Sequence, residues 1–429
     1  MRDALFRDAR GIVENLLNDR SLIPDAQPVR PLEIIHENRP RQVHTLFGVI
    51  GLRRRYYHHT KARTGRYPLD HALDLVRGHT PGLARLICRA SSQGGSYDEA
   101  AQDLHACLGL NLEGRNFGRL VAEATPLLRQ AQAALPAAAA EPIPILYVAS
   151  DGTGVPLRRG ELHGVAGKEP DGTARTREAK LGCVFTQTST DEEGQPLRAP
   201  DSTTYVGTLE DCRQLGALLR AEALRRGCAR ARTTVYLGDG AAWIWENARL
   251  NFPDAVQILD FYHASEHAGA LAAALLGAGP PAKEQQSRWC HQMKETSSAP
   301  IIAHAQALRE ERRAHLAPEQ LQTIERETAY FQTNAERTRY GYFRKQGYFI
   351  GPSTALRAFG SGVVEAGCKT VVGRRRKQSG MFWSQRGGDD LLTLRCMILG
   401  PNFSQIWNAR LPILQAQRAK PPRWSPSLN

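Results

Sequence analysis

The chain has 429 residues, and its 56 Lys and Arg against 43 Asp and Glu leave a formal net charge of +13. That length holds two or three domains with a sizeable core, and the basic excess points to a polyanionic partner, nucleic acid first among them. Eight scattered cysteines without a C-x-x-C pair exclude a zinc ribbon and a disulfide framework and fit a reduced compartment.

No apolar signal-peptide run opens the chain, and AGALAAALLGAG at 268–279 is too short to span a bilayer, so a cytoplasmic protein is expected. Residues 1–20 read as an amphipathic helix with Leu5, Ile12 and Leu16 at helical spacing. RQVHTLFGVIGLRRRYYHH at 41–59 reads as a β-hairpin with Gly48 and Gly51 near its turn. Its second strand interleaves Arg53, Arg54 and Arg55 with Tyr56 and Tyr57, a mixture suited to a nucleic-acid backbone or to a solvated edge. Residues 97–107 and 113–124 are two helical patterns around LGLNL, with Ser96 as N-cap of the first. The pair resembles a helix-turn-helix whose second helix carries Arg115, Asn116 and Arg119, although any helical hairpin has this look. Domain boundaries follow: 1–90 for the helix and hairpin, 91–133 for the helix pair, and an Ala/Pro linker at 134–143.

The second half alternates strands and helices. ILYVAS (145–150) is a buried strand ending at Asp151. KLGCVFTQT (180–188) and STTYVG (202–207) are further strands, followed by a helix over 208–227 with Thr208 as N-cap and Gly227 as stop. TTVYLG (233–238) ends at Asp239, a helix follows, and AVQIL (255–259) ends at Asp260. The order β, β, β, α, β, α, β is that of the ribonuclease-H-like fold, in which the first strand lies beside the fourth. Asp151 and Asp239 then stand side by side. A third carboxylate is expected from a helix after the last strand, and Glu365 in GSGVVEAGCKTVVGRRRKQSG (360–380) is the candidate. Between them, about 268–355, lies a helical insertion. Three such carboxylates can hold two Mg²⁺ ions roughly 4 Å apart for in-line displacement at phosphorus. Magnesium takes oxygen ligands, which favours this trio over His or Cys. Each aspartate alone is an ordinary Asp-Gly turn; their joint placement carries the reading.

DGTGVPLRRGELHGVAGK, TREAKLGCVFTQT, DSTTYVG, LGDGAAWIW, LDFYHASEH and GSGVVEAGCKTVVGRRRKQSGMFWS together resemble a bacterial insertion-sequence transposase family. It is the Kra-type group, related to Mutator-like DDE transposases, and the resemblance covers roughly residues 40–410. It implies an α/β, ribonuclease-H-like mixed-sheet catalytic domain over 144–410 with an α-helical insertion. A small N-terminal β-hairpin and helical DNA-binding region precedes that domain, and a basic tail (411–429) follows it. It implies Asp151, Asp239 and Glu365 as the metal-holding triad, with Mg²⁺ as cofactor and Mn²⁺ as its substitute. The activity implied is cutting at transposon ends and 3′-OH transfer into target DNA. The partners implied are double-stranded DNA and further copies of the chain, a homodimer or larger, near the bacterial nucleoid. Asp260 and His263 resemble a D/C-x-x-H element, with His263 orienting DNA or water, or serving as a capping or buried histidine. Family members often carry a C-x-x-C pair after the tyrosine-rich strand; here YYHHTKARTGRYPLD has His58 and His59 instead, so no zinc site is expected.

Lys369, Arg374, Arg375, Arg376 and Lys377, just past Glu365, are candidate phosphate contacts. Trp383 and Phe382 are candidates for base stacking, with core packing as the other reading. The loop 158–180 adds Arg158, Arg159, Lys168, Arg175, Arg177 and Lys180. Two rivals remain. One is a domesticated transposase that binds DNA without cutting. The other is a zinc peptidase using His263, Glu266 and His267 of HASEH, with Glu325 as third ligand. That reading leaves Asp151, Asp239 and the net charge without a role.

Overall fold

The computed structural model describes residues 1–137, 142–161, 176–192, 196–349, 367–378 and 380–419. Glu365, Lys168 and Arg175 lie outside the described residues. The chain divides into two compact units. Among the described residues, no helix is long and apolar enough to cross a membrane.

The first unit comprises Met1–Leu135, Arg386–Ile398 and the described residues from 402 onward. Helix α1 (Arg2–Asn18) precedes a three-stranded antiparallel sheet of β1 (Glu33–Thr45), β2 (Gly48–His59) and β3 (Thr64–Arg66). The expected hairpin is present and longer than the sequence suggested. Its turn closes at Gly48, whose φ of 115° favours glycine, whereas Gly51 sits inside β2 opposite Gln42. The helix buries a different stripe from the expected one. Leu5, Ile12 and Leu16 are exposed, while Val13 and Leu17, each one position on, pack beside Val43, Ile50 and Leu52. Apolar doublets at 5–6, 12–13 and 16–17 gave the helix two stripes, and the sheet takes the second.

A short α2 (Pro68–Ala72) leads to α3 (Pro81–Gln93), α4 (Tyr97–Leu108) and α5 (Gly114–Ala134). Ser96 caps α4 by accepting from Glu99 N at 3.0 Å. Gly109 ends it at φ 69°. Gly114 starts α5 against the first turn of α4, where a Cβ would lie 2.1 Å from Asp98 Oδ1 and 2.8 Å from Asp98 N. Leu83, Ile87, Phe117, Leu120 and Leu128 form the core with Leu394, Phe403 and Trp407 from the helices Gln385–Leu399 and Phe403–Ala419.

The second unit comprises Pro136–Gln385 with Leu399–Pro401. Its strands are β4 (Ile143–Pro156), β5 (Thr176–Thr190), β6 (Pro196–Arg198), β7 (Thr204–Thr208), β8 (Ala231–Gly238) and β9 (Val256–Leu259). They build one mixed sheet in the order β6-β5-β4-β8-β9, with β7 also on β5. The β4–β5 and β5–β7 pairs are antiparallel; β4–β8 and β8–β9 are parallel. Helix α6 (Cys212–Arg225) connects β7 to β8, and α7 (Ala242–Asn251) connects β8 to β9. The cap of α6 is Asp211, accepting from Gln214 N at 2.9 Å, and not Thr208, which closes β7. Among the described residues, five further helices follow up to residue 349: α8 (Phe261–Leu276), α9 (Pro280–Glu295), α10 (Ala299–Arg312), α11 (Pro318–Thr333) and α12 (Tyr340–Lys345). Their apolar faces, with Leu271, Trp289, Ile301, Ile324 and Phe331, join the core formed by Leu146, Val148, Val235, Leu237 and Ile258. A π-type turn over Cys368–Gly373 runs into Arg374–Arg376 and packs on β4.

Candidate active site

The register of the two central strands sets the site. β4 and β8 run parallel with Ala149 opposite Leu237, so two residues further on Asp151 and Asp239 occupy matching places. Neighbouring strands lie about 4.8 Å apart, which makes these carboxylates immediate neighbours. The Asp151 carboxylate accepts from Gly152 N at 2.6 Å. Burial pushes it above the usual carboxylate range; a hydrogen bond from the Cys368 thiol opposes this, the Asp239 charge adds to it, and His263 opposes it. Asp151, Asp239, His263 and Cys368 thus share one locality. Burial, Asp151's charge and the hydrogen bond to it push the Cys368 thiol up, so it stays a neutral donor.

Asp239 begins a tight turn. Its Oδ1 accepts from Ala241 N at 2.8 Å, and Gly240 follows with φ 105°. The Tyr330 hydroxyl donates to the Asp239 carbonyl oxygen at 2.8 Å. Burial first, then the charges of Asp239, Asp260, Glu327 and Glu266, push that phenol up, so it too stays a neutral donor. Asp260 is a structural cap: its carboxylate accepts from Tyr262 N at 2.6 Å and His263 N at 3.3 Å. Its own N–H donates to Gly238 O at 2.8 Å, fastening the start of α8 to the end of β8. That fastening holds α8, and with it His263, near enough for its charge to act on Asp151.

The arrangement fits a hard divalent cation. Asp151 does not end its strand as expected: β4 runs on to Pro156 along β5, and it is the pairing with β8 that stops before it. Two carboxylates on neighbouring strands just past that pairing, one of them substantially buried, repel each other, and a cation bound by their oxygens removes that cost.

The expected DNA contacts divide sharply. Lys369, Arg374 and Lys377 are exposed, and Lys377 Nζ donates to Thr153 Oγ1 at 2.5 Å, two residues from Asp151. Arg375 and Arg376 do not belong to a phosphate-contacting face, because both side chains are almost fully buried. The Arg375 guanidinium lies over the Trp383 ring, 5.1 Å from its centroid. Trp383 is half-buried; its backbone bridges Leu157, just past β4, and its carbonyl accepts from Arg158 N at 2.9 Å. Phe382 is exposed. Arg177 is held by Leu209 O at 2.8 Å and Gln385 Oε1 at 3.0 Å. Lys180, opposite Gly152, pairs with Glu178 at 2.9 Å and stands 5.9 Å over the Trp243 ring. In the first unit Arg54 is buried, ion-paired with Asp70 and stacked 3.5 Å over Tyr67, so it is not a surface cation. Arg115 and Arg119 are exposed on α5, Arg115 pairing with Glu113 at 2.6 Å.

His267 Nδ1 is engaged by Glu327, and Glu325 pairs with Arg309 at 2.6 Å. Sequence reasoning missed two groups at the site. They are Cys368, one of eight scattered cysteines, and Tyr330, inside an insertion helix; neither carries a local signal of its role.

No family model matches this chain, and no curated protein matches it.

Proposed function

We propose that the protein is a DNA transposase of an insertion sequence, with a ribonuclease-H-like catalytic domain that cuts and rejoins phosphodiesters with Mg²⁺. The single observation that carries the reading is the matched register of Asp151 and Asp239 on adjacent parallel strands. Three further observations support it. The sheet order β6-β5-β4-β8-β9, with β7 also on β5, antiparallel up to β4 and parallel beyond it, suits the strand order expected of a ribonuclease-H-like fold. Cys368, hydrogen-bonded to Asp151, follows Glu365 by three positions in the sequence. The charge of +13 suits a polyanionic substrate.

Asp151, Asp239 and Glu365 would hold the ions, with Mn²⁺ a substitute for Mg²⁺. Bound there, the cations would neutralise charge developing on the phosphoryl oxygens. The protein's own task is alignment. The two aspartates are fixed where the pairing of β4 and β8 stops, Lys377 and Arg374 draw the DNA backbone toward them, and His263 orients the scissile strand or the attacking oxygen. Water attacks phosphorus at the transposon end and frees a 3′-OH, which then displaces a 3′ oxygen of target DNA. Arg115 and Arg119 on α5 serve sequence recognition, and two transposon ends call for at least two copies of the chain.

The test uses purified protein, Mg²⁺ and labelled duplex carrying the ends of the element that encodes it. Asp151→Asn, Asp239→Asn and Glu365→Gln each bind the duplex and leave it uncut. Cutting at the wild-type rate by any one of them removes that residue from the triad. Uncut DNA with the unmodified protein, despite specific binding to the ends, favours the domesticated, non-cutting reading.

A further inference from the structure

Resting on the metal-dependent reading above, we propose that Tyr330 on α11 is a positioning residue for Asp239, itself held by a His267–Glu327 pair. Four observations converge. The Tyr330 hydroxyl donates to the carbonyl oxygen of Asp239 itself, at 2.8 Å, and so fixes the backbone from which that carboxylate projects. The Tyr330 ring lies against the next residue. A Cβ at Gly240 would sit 2.6 Å from ring carbon Cε2, and φ 105° there disfavours any side chain as well. Glycine is thus what allows the ring to close on the turn. The ring also stacks on His267, with centroids 3.6 Å apart and planes inclined by 19°. Finally, His267 Nδ1 is gripped by Glu327, which is 3% exposed and also accepts from Arg326 Nε at 2.9 Å.

The geometry gives these contacts a direction. Glu327 and Tyr330 are three residues apart on α11, hence on one face. His267 lies four residues after His263 on α8, one turn further along the same side. The insertion helix therefore grips the turn after β8 with one side chain and the helix bearing His263 with another. Burying a carboxylate is expensive, and one that serves only to brace a helix is readily replaced by an apolar side chain. Here the pair locks an aromatic ring whose hydroxyl ends on the backbone of a proposed metal ligand. Outer contacts of this kind set how well a ligand is pre-aligned, and their removal typically weakens metal affinity by about 10- to 100-fold.

The test measures Mn²⁺ binding to the full-length protein by electron paramagnetic resonance, together with Mn²⁺-dependent cutting and thermal melting. Tyr330→Phe removes one hydroxyl and keeps the ring on His267. Its Mn²⁺ affinity falls by about 10-fold, and saturating Mn²⁺ restores most of the cutting rate. Wild-type affinity in Tyr330→Phe overturns the proposal, including the case in which only its melting temperature drops, which marks a brace of the fold. Glu327→Gln tests the supporting pair and decides the matter if the first variant does not fold. Weakened Mn²⁺ binding supports the pair's role, and wild-type binding removes it. Asp239→Asn separates this inference from the reading beneath it. If it binds Mn²⁺ like the wild type, the metal reading itself fails; if it loses Mn²⁺ while Tyr330→Phe keeps it, only the positioning role is lost.

Discussion

Replacing Asp151 with asparagine should stabilise the protein in the absence of divalent metal. Two carboxylates about 5 Å apart on neighbouring strands repel by roughly 3 kcal/mol at the effective dielectric of a protein surface region. Partial solvent access lowers that, so about 1–2 kcal/mol is the expected gain. Asparagine keeps an oxygen to accept from Gly152 N and from the Cys368 thiol, so little is lost in exchange. For a unit of this size the gain corresponds to a rise in melting temperature of about 2–8 °C. The pH dependence has a definite sign. Burial raises the Asp151 carboxyl in the folded state, so the wild type is relatively more stable below the ordinary carboxyl range and loses that stability as pH rises through the raised value. The advantage of Asp151→Asn is therefore small in acid and full at neutral pH. Magnesium should reverse the ranking: a ligand at 100 times its dissociation constant adds about 2.7 kcal/mol to the protein that binds it. The assay is thermal melting of both proteins in EDTA and in excess Mg²⁺, at several pH values. A variant that melts at or below the wild type in EDTA, or gains as much from Mg²⁺, refutes the crowded-carboxylate argument.

Two further predictions concern residues away from the carboxylates. Arg374→Ala, at an exposed position, should leave melting unchanged and weaken DNA binding with a salt dependence shallower by about one. Arg375→Ala instead removes a buried guanidinium stacked on Trp383 and should lower stability by about 2–4 kcal/mol in denaturant titration; equal effects from the two substitutions would contradict this division. Gly114→Ala should destabilise the first unit by more than about 1 kcal/mol, since its Cβ meets the backbone of Asp98 and the start of α4 must shift; unchanged melting would show that α4 and α5 yield freely.

Much of the second unit could be read from the chain because apolar runs closed by an aspartate are a local signal. The run before Asp239 locates the end of β8, whereas β4 runs on through Asp151 to Pro156, since β5 continues to pair with it where β8 stops; helical periodicity marks the insertion. What failed depended on partners distant in sequence or on ambiguity within a local pattern. A run of three arginines looks like a solvated face, yet Trp383 takes Arg375 into the interior. Arg54 looks like a phosphate contact until Asp70 and Tyr67 close over it. The doublets of α1 offered two apolar stripes, and only the sheet chooses between them. Tyr330 acts on Asp239 across ninety-one positions of chain, a distance at which no local pattern speaks.

The central claim, that Asp151, Asp239 and Glu365 hold the same cation, is tested most directly by loading the protein with Fe²⁺ and triggering local radical cleavage with ascorbate and peroxide. Backbone cuts should cluster at three places, around Asp151, Asp239 and Glu365, and should disappear with excess Mg²⁺. Cuts confined to the His263–His267 segment and Glu325, or cuts that Mg²⁺ does not suppress, would contradict it.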